Sequence, residues 1–156
     1  MKYLRTAVFF IVVLLAQSAV FSRLSVLGAR MDLVLLFVVV FGIMAGAEKG
    51  LAIGVLAGIC QDMLYGTGYY FLLGMGFAGF ISGAIKGAII IDDTVTLSAI
   101  AFVSIIFYHL FYALIFQYLF TREIHGLSIG LFAGALANAL LAPVFIDAYK
   151  KIFENG

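Results

Sequence analysis

Apolar residues run along this chain in long blocks, separated by short breaks of charge or turn-forming chemistry. A helix that crosses the hydrocarbon core needs about 20 apolar residues. Runs of that kind predict six helices, at 4–21, 33–47, 51–64, 69–91, 95–120 and 127–149. The breaks fall at 23–32, at Glu48-Lys49, at the Gly66-Thr67-Gly68 turn signal, at Asp92-Asp93, and at Arg122, Glu123 and His125. The second and third runs are nearer about 15 residues than 20. The pair 33–64 therefore reads either as a hairpin that crosses fully or as one that stops short.

Composition explains why the blocks have no polar partner face. Of 156 residues, 65% are hydrophobic and 11% charged, and mean hydropathy is +1.22. A globule this small has too much surface to hide that apolar content. The bilayer is then the solvent for most side chains, and the whole chain reads as one integral membrane domain, an all-α polytopic helical bundle. Lys2 and Arg5 before an apolar run imitate a signal peptide. The run continues through Ala19, Val20 and Phe21, so 4–21 is taken as a retained first span.

Net charge is +1, which leaves no broad basic face for nucleic acid. The basic residues instead sort by side. With the N terminus inside, Lys2, Arg5, Lys49, Lys86, Lys150 and Lys151 fall inside, and Arg23, Arg30 and Arg122 outside. The excess of basic residues predicts both termini in the cytoplasm. Cys60 is the single cysteine, so no disulfide forms within the chain, and it reads as a small apolar packing residue.

Small residues supply the next signal. Gly50, Gly54, Gly58 and Asp62 are spaced by four and share one helix face. Gly126, Gly130, Gly134 and Asn138 repeat the spacing, and Gly79, Gly83 and Gly87 form a third ladder. A face without side chains lets two backbones approach, which is how helices associate in lipid. Residues 51–64 and 127–140 also match at six of fourteen positions, with Asp62 opposite Asn138. That echo is either an inverted three-helix repeat or a coincidence of Gly- and Ala-rich helices.

Polar residues inside a membrane are costly and so draw functional interest. Asp62 reads as an interfacial cap before the Gly66 turn, or as a buried partner for another helix or a ligand head group. His109, between Tyr108 and Tyr112, reads as a packing residue; a proton relay would need Asp62 as its acid. Gln117 and Asn138 read as interhelical hydrogen-bond donors and acceptors. Lys86 is expected to snorkel outward, and Pro143 to bend the last helix. The sequence holds no nucleophile–base arrangement, metal-ligand spacing or phosphate-binding GxxxxGK[ST]. No enzyme activity, cofactor or metal is expected.

Arg30-Met31-Asp32-Leu33, then Gly46-Ala47-Glu48-Lys49-Gly50, then Gly54, Gly58, Asp62 and Gly66 resemble the bacterial rod-shape-determining protein MreD family. Met31 stands where that family typically has proline; Asp32 can still cap the helix. The resemblance implies a non-enzymatic component of the cell-elongation machinery in the cytoplasmic membrane. Its partner would be a MreC-like protein with one membrane span, linking MreB filaments to the peptidoglycan polymerase and transpeptidase. It also implies a fold like the substrate-binding membrane subunits of energy-coupling-factor transporters. The aromatic stretches 107–112 and 116–120 would offer contact area to the partner helix. Two rivals share the same size and span count. One is a substrate-binding subunit of a vitamin or metal uptake system, with Asp62, Tyr65, Tyr69, Tyr70, Arg122 and Glu123 around an outward pocket. The other is a lipid-precursor translocase.

Overall fold

The computed structural model describes residues 2–21, 25–26, 29–30, 32–66, 69–89, 93–111, 113–114 and 129–153. Six α-helices carry the fold. They are α1 (Lys2–Ala16), α2 (Leu33–Ala45), α3 (Ala47–Tyr65), α4 (Tyr70–Gly87), α5 (Thr94–Phe111) and α6 (Ile129–Phe153). A π-helical turn, Gln17–Phe21, extends α1. Between α1 and α2 lies a two-residue antiparallel ladder, β1 (Ser25–Val26) with β2 (Ala29–Arg30).

Local chemistry sets most of the boundaries. Asp32 is the N-cap of α2, its Oδ1 accepting from Leu35 N at 2.9 Å. Asp93 does the same for α5 through Thr96 N at 3.1 Å. Gly66 ends α3 in the left-handed region at φ 64°, its N–H donating to the Asp62 carbonyl at 2.9 Å. Lys86 Nζ donates to the Ile89 carbonyl at 3.1 Å, just beyond the end of α4. Pro143 lies inside α6, which continues past it.

Several expected boundaries move, among them the end of the expected 69–91 helix, since α4 stops at Gly87 and Ala88 caps it. The break between the second and third helices is Gly46, at φ 95°, and not Glu48-Lys49. Those two charges sit exposed in the first turn of α3, where water reaches them and no break is needed. Helix α3 therefore has 19 residues and is not short; of that pair only α2, with 13, is. Helix α6 runs past Tyr149 to Phe153, because Lys150 and Lys151 in its last turn suit the negative end of the helix dipole. Of the expected 95–120 helix, α5 covers the part to Phe111, and 115–120 lie outside the described residues.

The core is helix α2. Every residue from Leu33 to Ile43 is buried, and α1, α3, α4, α5 and α6 all pack against it. A helix that is apolar all round has no face to give to water. At 1.5 Å per residue α2 is about 20 Å long, short of the ~30 Å hydrocarbon core. Its neighbours enclose it, so it does not have to match the lipid thickness. Phe37 sits at the centre, its ring 5.5 Å from Phe9, 5.6 Å from Phe10 and 5.9 Å from Phe41.

The outside is also apolar. Leu4, Leu140 and Val95 are 70%, 71% and 78% exposed. Three helical stretches, Tyr70–Gly87, Thr94–Phe111 and Phe132–Ile152, are long and apolar enough to cross a membrane. Arg5 Nη1 donates to the Ile152 carbonyl at 3.1 Å, and the Phe41 and Tyr149 rings lie 5.7 Å apart. The start of α1 and the ends of α2 and α6 thus share one end of the bundle. Asp32, which opens α2, lies at the other.

Candidate functional site

Among the described residues, the closest packing is a seam between α3 and α4. The two helices run antiparallel with glycine against backbone at every turn. A side chain at Gly50 would strike Gly79, one at Gly54 would strike Met75 and Gly76, and one at Gly58 would strike Phe71 and Leu72. From the other side, Gly79 meets Gly50, and Gly83 meets Gly46 and Ala47. Helix α2 joins the seam through Gly42, which abuts Ser82 Oγ and the Gly79 carbonyl. The atom facing each of Gly42, Gly50, Gly54, Gly58 and Gly79 includes a carbonyl oxygen of another helix. That recurrence sets backbone against backbone, an approach available only where no side chain intervenes. Ser82 is fully buried and donates to the Gly79 carbonyl at 3.0 Å.

Gly87 does not belong to this seam, contrary to its place in the ladder. A side chain there would meet nothing within 4 Å. Gly83 already faces the first residue of α3, so one turn further on there is no α3 left to pack against. Gly46 and Gly66 likewise have open space around them; their positive φ is what requires glycine. Gly134 is buried in α6, and Gly130 is the second residue of that helix. Gly126 lies outside the described residues.

At the Asp62 end, polar side chains tie helix termini together. Asp62 is 7% exposed. Its Oδ1 accepts from Phe71 N at 3.1 Å and its Oδ2 from Leu72 N at 3.0 Å. A carboxylate at the C-terminal end of α3 thereby satisfies two otherwise orphan N–H groups in the first turn of α4. Gln17 Oε1 accepts from Leu33 N at 2.8 Å, so the end of α1 closes the start of α2. Asp32 takes a further hydrogen bond from the Gln61 side chain, and burial holds its carboxyl above the ordinary 3.8 despite that bond and the backbone donors Leu35 and Val34. Gln17, Asp32, Gln61 and Asp62, three of them buried and Asp32 half-buried, thus form a polar belt around the first turns of α2 and α4.

Comparison with family models, curated proteins and solved structures returns no match to this chain.

The remaining sequence candidates are dispersed. His109 is half-buried in α5, edge-on to Tyr108 at 5.2 Å. Tyr108 in turn covers Gly74, its Cε2 2.8 Å from where a side chain would begin. Both Asp62 oxygens accept from the α4 backbone. Asn138 is 1% exposed in α6, Cys60 is a half-buried free thiol, and Gln117 lies outside the described residues. Glu48 is exposed. Sequence reasoning passed over Gly42 and Ser82, because a single glycine and a single serine in an apolar run carry no spacing signal. It also missed the role of Gln17, since its partner, Leu33, lies across a connection. Among the described residues, Gln61 Oε1, Ser104 Oγ and Asn138 Oδ1 are buried without a hydrogen-bond partner.

Proposed function

We propose that this chain is a non-enzymatic scaffold subunit of the bacterial cell-elongation complex, of the MreD kind. The observation that carries the reading is the convergence of the resembling residues, the exposed Glu48 excepted, on one structural unit. Asp32 caps α2, Gly46 turns the chain, Gly50, Gly54 and Gly58 admit α4, Asp62 caps α4, and Gly66 ends α3. Each does mechanical work in the same three-helix block. A motif spent on rigid packing suits a protein whose task is to hold others in register.

In this reading all six helices cross the cytoplasmic membrane, with both termini in the cytoplasm and an arrangement like the membrane subunits of energy-coupling-factor transporters. The α2–α3–α4 block is the rigid part, and an outer groove receives the single span of a MreC-like partner by close apolar packing. Through that partner the subunit would couple MreB filaments to the peptidoglycan polymerase and transpeptidase.

The test is an unbiased pull-down in mild detergent. Recovery of a bitopic wall-synthesis scaffold is expected, and its loss in Gly54→Leu and Gly58→Leu, whose elution as monodisperse species is checked in parallel. If both variants keep the partner, the rigid block does not matter to binding. A vitamin co-purifying in its place would move the assignment to an uptake subunit.

A further inference from the structure

At the Arg5 end, α1 and α6 border a groove of about 520 Å³, open to the side. Leu4, Val8 and Val12, one turn apart along α1, line it together with Phe9 and Ile152. Arg5 and Lys151 also line it, one from each helix. The Arg5 guanidinium is held by its bond to the Ile152 carbonyl, which engages one of five N–H donors. Lys151 is exposed. From Leu4 to Val12 the floor runs about 12 Å at 1.5 Å per residue, within the ~15 Å depth of one leaflet.

We infer that this groove binds a phospholipid with an anionic head group. Arg5 and Lys151 receive the head-group phosphate, and the Leu4–Val8–Val12 stripe receives the upper part of one acyl chain. Charge and shape argue together. Two cations from separate helices sit beside a strip of apolar side chains, which is the layout of an amphiphile and not of a free anion. Among the described residues that line the groove, none is acidic. The inference rests on membrane location alone and stands apart from the identity of any protein partner.

The test reconstitutes the full chain in equimolar phosphatidylcholine–phosphatidylglycerol vesicles and reads retained lipid by native mass spectrometry. Wild type is expected to keep phosphatidylglycerol over phosphatidylcholine. Arg5→Gln/Lys151→Gln should lower that preference about fivefold or more, whereas Lys49→Gln, off the groove, should leave it unchanged. Val8→Trp, which fills the floor while keeping both cations, should reduce retention of both lipids. Helix content by circular dichroism identifies any unfolded variant, and Arg5→Lys, which keeps the charge, should retain the preference. Equal retention of the two lipids by wild type overturns the proposal. So does an equal loss in Lys49→Gln, which would mean diffuse charge, or displacement of the lipid by inorganic phosphate, which would mean a simple anion site.

Discussion

A side chain at Gly79 has nowhere to go, while one at Gly87 meets open space, and the two share a helix and a ladder. Gly79→Ala should therefore destabilise the protein by ~1–3 kcal/mol through overpacking. Gly87→Ala should be neutral or stabilising by up to about 1 kcal/mol, from helix propensity. Thermal unfolding in detergent compares them, and equal effects would remove the seam from the account. Asp32 gives a pH prediction. Its folded pKa lies above the ordinary 3.8, from burial, so the folded protein binds this proton more tightly than the unfolded chain does. The ionised form is a cost, fully present above the folded pKa and relieved as pH falls from there toward 3.8. Asp32→Asn keeps a capping oxygen. It should raise stability at neutral pH and flatten this part of the pH profile; a variant less stable at neutral pH would contradict it. Asp93 carries the opposite sign. Bonding from Thr96 holds its carboxyl below 3.8, so its small contribution is present above that value and fades as pH falls through the folded pKa.

At the scale of elements, α2 behaves as a post and the other helices as its wall. Phe37, 2% exposed, meets rings from α1 and from its own helix. Phe37→Ala should cost ~3–5 kcal/mol, the range for emptying an aromatic site in a closed core. Phe132, 53% exposed on α6, provides the contrast, because lipid fills the space it leaves. Phe132→Ala should shift the unfolding midpoint little. Comparable losses at both sites would mean that α2 is not the centre. The helix ends were legible wherever the cap is local, as at Asp32 and Gly66. They were misjudged at Glu48-Lys49, because a charge pair at a helix start is stable in the exposed first turn and breaks nothing.

For the molecule as a whole, the Arg5–Ile152 bond puts the chain's described ends together. In the six-crossing reading, cysteines introduced at Ser25 and Lys49 of a Cys60→Ala background face opposite sides of the membrane. An impermeant thiol reagent added to intact cells should label position 25, and label position 49 only after permeabilisation. Labelling of both from outside would overturn the six-crossing reading. The enclosure of α2 shows how so short a helix persists at all: its backbone bonds are internal and its side chains from Leu33 to Ile43 are buried in protein.

The amino-acid order alone determined that this chain is a bundle of apolar helices, roughly where they start and stop, and which faces lack side chains. Those properties depend on residues within a turn or two of one another, through hydropathy, capping and glycine spacing. Tertiary structure alone decided which helix meets which glycine face, that the shortest helix is the core, and that Asp62 closes α4. It also excluded Gly87 from the seam and brought Gly42 into it. Each of those outcomes is a register between segments distant in the chain, and register follows from how whole surfaces fit, which no local pattern encodes.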